Sequence, residues 1–206
     1  MSKYKHIIFD IDGTLIDTEY AVLHSLQETL LLLGKKYSIK ELSFALGITG
    51  EDALKQLEIC NIDKTLDIWD KNMDKYREKI ILFDGIKDIL LVLVKKGYKL
   101  GIITSKTKGE FNSDFDDFGI TNLFETIICA DDSLKHKPNP EPMLKYIEVS
   151  NIRPEEALYI GDSQYDAICS KSANVDFGLA VWGHKKKDVF ADYYFNIPED
   201  ILEVLK

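Results

Sequence analysis

The chain has 206 residues, of which 45% are hydrophobic and 30% charged, as in a globular protein with one sizeable core or a core that carries an insertion. Its formal net charge of -9 gives no general attraction to a nucleic-acid backbone or an anionic membrane, so neither partner is expected. The three cysteines are odd in number and show no Cys-x-x-Cys spacing, which argues against a disulfide framework and a zinc cluster. With no apolar stretch of about 18 residues and no signal peptide in MSKYKHIIFD, the sequence predicts a cytoplasmic protein.

Short aliphatic strands alternate with amphipathic helices along most of the chain. The predicted strands cover 4–9, 99–103, 126–129, 157–160 and 178–181. The predicted helices cover 84–96, 107–118, 139–150 and 163–173. This alternation indicates an α/β fold with a Rossmann-like parallel sheet and helices on both of its faces.

One interval interrupts the alternation. From residue 18 to residue 81 the pattern is helical throughout and contains no convincing strand. We therefore expect a helical cap domain at 18–81, inserted into a core domain made of 1–17 and 82–206. Such a cap would lie above the carboxyl ends of the strands, where open parallel sheets bind their ligands.

Polar residues follow the first two predicted strands. Asp10 and Asp12 come directly after an apolar run, and Gly13 then allows a sharp turn. Two carboxylates this close repel each other unless a cation is present, although an isolated Asp-x-Asp more often caps a turn. Thr104 and Ser105 end the second strand, where hydroxyl and amide groups either bind phosphate oxygens or cap a helix.

Two further strand ends carry charged residues. Lys137 stands in the proline-rich stretch LKHKPNPEP, and Asp162 and Asp166 stand in LYIGDSQYD. Taken singly, each is also compatible with a surface lysine, a helix cap or a surface carboxylate. Taken together, the carboxylates could hold a divalent cation while the hydroxyl and the ammonium bind phosphate.

The motifs DIDGT, TS, KPNPEP and GDSQYD resemble, in this order, the four motifs of the haloacid dehalogenase superfamily. The helical interval 18–81 resembles the inserted cap of the superfamily's phosphoglycolate phosphatase and β-phosphoglucomutase-like branch. The resemblance covers essentially the whole chain. The pair DxDGT and GDSxxD is the specific part of this signal, whereas a Thr-Ser pair or a lysine alone is weak.

The resemblance implies a role for each matching residue. Asp10 would be the nucleophile that forms an aspartyl-phosphate, and Asp12 would act as general acid and then as general base. Thr104 and the Ser105 amide would bind phosphoryl oxygens, and Lys137 would neutralise charge on the nucleophile and the transferring group. The dehalogenase and phosphonate-cleaving members lack the second aspartate, so Asp12 favours phosphoryl chemistry.

The resemblance also implies Mg²⁺ as the cofactor. The Asp10 carboxylate, the Asp12 backbone carbonyl and Asp162 would hold the ion, and Asp166 would support its water shell. The charge of the ion would make the attack of a carboxylate on an anionic phosphate tolerable. We expect a phosphoglycolate phosphatase-like enzyme that acts on a small phosphorylated metabolite as a monomer or homodimer.

Other functions remain open from the sequence. A β-phosphoglucomutase-like enzyme would carry a cap histidine and arginine where this chain has Val22 and Gly50, with His24 nearby but out of register. Pyrophosphatase or nucleotidase activity and non-enzymatic binding of a phosphorylated metabolite are further alternatives. After the fourth motif, Asn174 is expected in a left-handed turn, whereas the segment 182–184 either lines the edge of the site or packs beside it.

Overall fold

The structure is a computed structural model that describes residues 2–184 and 188–206, the side chain of His184 excepted. In chain order the strands are β1 (His6–Phe9), β2 (Ile16–Asp17), β3 (Ile81–Leu82), β4 (Lys99–Ile103), β5 (Phe124–Ile128), β6 (Ala157–Gly161), β7 (Asp176–Ala180) and β8 (Tyr193–Phe195). The helices are α1 (Glu19–Leu32), α2 (Ile39–Leu42), α3 (Gly50–Gln56), α4 (Ile62–Met73), α5 (Ile86–Lys95), α6 (Lys108–Asp114), α7 (Glu141–Ser150), α8 (Gln164–Ser172), α9 (Val181–His184) and α10 (Ile201–Val204).

Within the described ranges, six strands form one parallel sheet in the order β5-β4-β1-β6-β7-β8. The first strand is central, and Phe9 is in register with Ile102 of β4 and Ile160 of β6. These three strands therefore end at the same edge of the sheet. The predicted α/β fold with a parallel Rossmann-like sheet is confirmed.

The centre of the sheet is apolar on both faces. Ile7, Ile8 and Phe9 of β1 have no solvent exposure. A strand covered by helices on both sides reads as a continuous hydrophobic run, which is why β1 shows no polar alternation. No helix of the described chain is long and apolar enough to cross a membrane.

Several predicted boundaries are wrong by a few residues, and three short strands, β2, β3 and β8, were not predicted. The predicted helix 107–118 ends as α-helix at Asp114, and a 3₁₀ turn continues it from Asp116 to Phe118. Predicted strands 126–129 and 178–181 begin two residues earlier, as β5 and β7. The edge strand β8 has only three residues, too few for a hydrophobic period to identify.

The interval from 18 to 81 contains the helices α1 to α4, and α1 and α3 both pack against α4. The expectation of no strand there is wrong at Ile81, because β2 and β3 pair antiparallel where the chain enters and leaves this interval. We call residues 18–81 the cap. One bond between cap and core runs from Ser105 Oγ to the Gly47 carbonyl at 3.0 Å. That the cap is a separate domain stays a prediction.

Candidate active site

The turn after β1 brings Asp10 and Asp162 close together. Asp10 is 1% exposed, and its amide continues the sheet by donating to the Ile160 carbonyl at 2.9 Å. Gly13 has a φ of +75°, and a Cβ added there would lie 2.3 Å from Asp162 Oδ2. Only glycine therefore combines this left-handed turn with the close approach of the second carboxylate.

Lys137 is buried between two carboxylates. Its ammonium donates to Asp10 Oδ1 at 2.8 Å and to Asp166 Oδ1 at 2.7 Å. Burial by itself lowers the pKa of a lysine, but the two carboxylates outweigh it and raise the pKa of Lys137 above its ordinary value. Lys137 is thus held as a cation against the proposed nucleophile.

Asp166 has both of its oxygens engaged by neighbouring donors. Oδ2 accepts from the Ser163 amide and hydroxyl in the capping box that begins α8, whereas Oδ1 accepts from Lys137 and from the Tyr159 hydroxyl at 2.8 Å. Asp166 is therefore well placed to hold Lys137. Its role in a metal's water shell stays a prediction.

Three carboxylates form a group that we call the carboxylate cluster, namely Asp10, Asp162 and Asp166, with oxygens within 4.8 Å of one another. Asp10 Oδ2 and Asp162 Oδ1 are buried and have no hydrogen-bond partner among the described residues. Burial, together with the neighbouring carboxylates, raises the pKa of Asp10 to about 7 and that of Asp162 well above its usual range. Unpartnered carboxylate oxygens are the ligands of a hard divalent cation, so these residues fit Mg²⁺.

Asp12 is not a member of the carboxylate cluster and lines a cavity. Its Oδ1 accepts from Thr18 Oγ1 at 2.7 Å and lies 3.1 Å from Lys106 Nζ. The side chain is 19% exposed, whereas that of Asp10 is 2% exposed. The two aspartates thus have different environments, as different chemical roles require.

Thr104 and Ser105 follow β4 beside this pair. Thr104 is buried, and its hydroxyl oxygen accepts from the Lys106 amide at 3.1 Å. The Ser105 hydroxyl is directed at Gly47 in the cap, and the residue lines the cavity. The Ser105 hydroxyl therefore donates its hydrogen bond to the cap. Phosphate binding by Thr104 and the Ser105 amide stays a prediction.

A cavity of about 580 Å³ opens between the strand ends and the cap. Its cap wall combines apolar side chains, among them Trp69 and Met73, with the carboxylates of Glu51, Asp67 and Asp70. Among the described residues that line it, the cap contributes no lysine or arginine. The cap wall of the cavity is therefore apolar and acidic.

Three contributors to the site were not identified from the sequence. Tyr159 reads as one more apolar residue of a buried strand, and Thr18 as a helix cap. Lys106 directly follows the Thr-Ser pair, which was a usable signal. Their importance depends on distances across the fold, to Asp166 and Asp12.

Most of the residues that the sequence placed beside the site pack against neighbouring segments and do not line the cavity. Trp182 Nε1 donates to the Thr14 carbonyl at 2.9 Å, and Gly183 lies against Gly13. His24 is half-buried and stacks on Tyr20 with 3.8 Å between ring centroids, outside the cavity lining. The side chain of His184 lies outside the described part of the chain. Asn174 has a φ of 57°, as predicted for this turn.

A parallel sheet with buried carboxylates and a buried lysine at its carboxyl edge, under a helical cover, defines an α/β enzyme with a strand-end site. The haloacid dehalogenase-like hydrolase family matches residues 7–180 of this chain. The chain therefore belongs to the haloacid dehalogenase-like hydrolases, and the resemblance drawn from its four motifs is confirmed.

The similar proteins align with nearly the full length of this chain. A Clostridium perfringens protein provisionally named pyrophosphatase PpaX is 30% identical over 98% of this chain and 97% of its own. Pyrophosphatase PpaX of Halalkalibacterium halodurans is 26% identical over 97% and 95%. A Lactobacillus plantarum structure, provisionally described as phosphoglycolate phosphatase, has a TM-score of 0.89 and 33% identity over 99% and 100%. The predicted enzyme class, a phosphatase of this family, is confirmed.

Proposed function

We propose that this protein is a Mg²⁺-dependent phosphatase, phosphoglycolate phosphatase-like, that hydrolyses a small phosphate monoester through an aspartyl-phosphate on Asp10. The observation that carries the proposal is the state of the Asp10 carboxylate. One oxygen accepts a hydrogen bond from the Lys137 ammonium, the other is buried and has no partner in the described part of the chain, and the residue lines the cavity. A carboxylate so held is poised to attack a phosphorus atom presented from the cavity.

The proposed reaction has two steps. In the first, an Asp10 oxygen bonds to phosphorus and the bond between phosphorus and the ester oxygen breaks. The departing oxygen keeps the electron pair of that bond and receives a proton from Asp12. In the second, water attacks phosphorus while Asp12 accepts its proton, and the bond to Asp10 breaks. The products are the free alcohol and phosphate, and both aspartates regain their starting states.

Positive charge is needed because a carboxylate attacks an anionic group. Lys137 supplies one cation beside Asp10, with Thr104 and the Ser105 amide as further donors for the phosphoryl oxygens. Mg²⁺ would be held by Asp10, the Asp12 backbone carbonyl and Asp162, and when bound it would neutralise charge on the phosphoryl oxygens.

The expected substrates are small phosphorylated metabolites. Pyrophosphate and phosphoglycolate are natural first tests, because they are named for similar proteins. A sugar-phosphate mutase is less well supported, because Val22 and Gly50 stand in the cap wall of the cavity where mutases carry a histidine and an arginine.

Phosphate release tests the proposal. With Mg²⁺ present, the wild-type protein is expected to release phosphate from p-nitrophenyl phosphate, and Asp10→Asn to lower turnover by on the order of 10³-fold or more. Asp84→Asn is the matched control, because Asp84 is exposed and outside the cavity lining. Undiminished turnover by Asp10→Asn would show that another residue is the nucleophile.

A substrate panel completes the test. It contains phosphoglycolate, pyrophosphate, nucleoside monophosphates and hexose phosphates. Failure to release phosphate from every compound with Mg²⁺ would refute the phosphatase proposal. Interconversion of two hexose phosphates with little free phosphate would support a mutase instead, whereas binding without turnover would indicate a metabolite-binding protein.

A further inference from the structure

Lys106 lies behind the proposed acid and base, Asp12, and none of the four sequence motifs gives it a role. Its side chain is only 8% exposed. The backbone is held on both sides, because its amide donates to Thr104 Oγ1 at 3.1 Å and its carbonyl accepts from the Ala130 amide at 2.8 Å. The loop therefore holds the base of this side chain in one place, at the rim of the site.

The Lys106 ammonium lies between two carboxylates. It is 3.1 Å from Asp12 Oδ1 and 2.8 Å from Asp114 Oδ2. Asp114 is itself 4% exposed, and its other oxygen accepts from Arg77 Nε at 3.2 Å. Burying an ammonium costs several kcal/mol unless it is paired, and the two carboxylates offset that cost. Asp114 already pairs with Arg77. The need to neutralise the charge of Asp114 therefore does not explain why Lys106 also approaches Asp12.

Donors approach Asp12 on one oxygen. Thr18 Oγ1 and Lys106 Nζ both lie within hydrogen-bond distance of Oδ1, and no described residue donates to Oδ2. A carboxylic acid carries its proton on one oxygen and accepts on the other. With Oδ1 facing two donors, the proton that Asp12 gives to a leaving group belongs on Oδ2.

We propose that Lys106 is a positioning residue for Asp12: its ammonium holds Oδ1, so that Oδ2 is presented to the leaving oxygen of the ester. The inference rests on the proposed function, because it assumes that Asp12 is the general acid. Lys106 itself neither gains nor loses a proton in this role. A misplacement of about 1 Å in an acid of this kind can cost on the order of 10²-fold in rate.

The consequence is a selective loss of activity. Esters of basic alcohols need a proton on the departing oxygen, whereas p-nitrophenolate leaves with little help. Misplacing Asp12 should therefore affect kcat/KM, which reports the first chemical step, more for alkyl phosphates than for p-nitrophenyl phosphate. A general weakening of the site would lower kcat/KM equally for all esters.

The experiment measures kcat/KM for p-nitrophenyl, phenyl and simple alkyl phosphates, all with uncharged leaving groups, in the presence of Mg²⁺. Lys106→Met is expected to lose on the order of 10²-fold with alkyl phosphates and less than about fivefold with p-nitrophenyl phosphate. Lys106→Arg should regain part of the loss, because it restores a cationic donor. Lys108→Met is the matched control, since Lys108 is exposed and pairs with Asp132, and neither side chain is part of the cavity lining.

A second variant guards against misfolding. Lys106→Met leaves Asp114 with one cation fewer, so the double variant Lys106→Met/Asp114→Asn removes the lysine together with one buried negative charge. Circular dichroism and urea unfolding identify which of the two is folded. The folded variant should show the same selective loss.

The outcomes separate the two proposals. If the wild-type protein hydrolyses the esters and Lys106→Met loses activity equally for all of them, or loses none, Lys106 does not position Asp12. If the loss follows the charge of the leaving group in an added comparison of phosphoglycolate with phosphoethanolamine, Lys106 binds substrate instead. If the wild-type protein hydrolyses no ester, the proposed function fails before Lys106 is tested.

Discussion

Individual buried ionisable residues reveal how this chain combines stability with chemistry. His6, at the start of the central strand, is 4% exposed, and its Nδ1 lies 3.0 Å from the Tyr146 hydroxyl. Burial, with Lys99 nearby, lowers the pKa of His6 below its ordinary value. The folded protein therefore binds fewer protons at this site than the unfolded chain once the pH falls below about 6.5.

This difference predicts how His6 changes stability with pH. The contribution of His6 is complete above the unfolded pKa and is lost as the pH falls through the lower folded pKa. The buried carboxylates Asp10 and Asp162 have raised pKa values and act in the opposite direction, so the comparison must be with a variant. Between pH 7.5 and pH 5.5, the urea midpoint of the wild-type protein should fall relative to that of His6→Gln. Parallel midpoints would contradict the prediction.

Burial also shifts the pKa values of the two buried thiols, those of Cys129 and Cys169. Burial raises the pKa of Cys129 to about 11 and that of Cys169 to about 12. Neither thiol is therefore a ready nucleophile near neutral pH.

At the scale of elements, the loops after β1 and β7 are packed backbone to backbone. A Cβ added at Gly183, in α9, would lie 1.6 Å from the Gly13 carbonyl oxygen. Trp182 holds the same two segments together through its bond to the Thr14 carbonyl. The turn that follows Asp12 is therefore supported by an element far away in the sequence.

Gly183→Ala should separate these loops. Because the obstructing atom belongs to the backbone and cannot rotate away, we expect a loss of about 1–3 kcal/mol in the free energy of unfolding and reduced kcat. Urea denaturation and phosphate release measure the two effects. Gly109→Ala in α6 is the control for the unfolding measurement alone, because Gly109 lines the cavity and a Cβ there would lie 3.8 Å from its nearest neighbour, Thr107 Oγ1. Unchanged stability of Gly183→Ala would contradict this account of the packing.

At the scale of the whole molecule, the sheet brings the three carboxylates of the cluster together from two separate parts of the chain. In the absence of a cation, folding therefore brings these negatively charged side chains close together. A cation that binds only the folded state should stabilise that state. Asp162 contributes an oxygen to which no described residue donates, which makes it the most informative position to change.

Mg²⁺ should raise the stability of the wild-type protein by about 2.7 kcal/mol at about 100 times its dissociation constant. Asp162→Asn should raise the urea midpoint in the absence of Mg²⁺, because it removes a buried charge, and should abolish most of the Mg²⁺-dependent gain. Asp84→Asn should behave like the wild-type protein, with sodium chloride as the ionic-strength control. An equal gain from Mg²⁺ in Asp162→Asn would exclude it as a ligand.

Most of the architecture was predictable from the chain itself. Alternating aliphatic strands and amphipathic helices implied the parallel sheet, and the helical interval implied the cap. Boundaries and short elements were less predictable, as β8 and the ribbon of β2 and β3 show. Strands of two or three residues contain no measurable period, and their pairing depends on neighbours that are distant in sequence.

The residue types along the chain specify the chemistry available near the strand ends, including Asp10, Asp12, Lys137 and Asp162. How those groups are paired depends on the folded arrangement. It placed both oxygens of Asp166 on donors and set Lys106 between Asp12 and Asp114. The physical reason is that local hydrophobic periodicity specifies elements, whereas strand order, register and packing specify the distances between residues that are far apart along the chain.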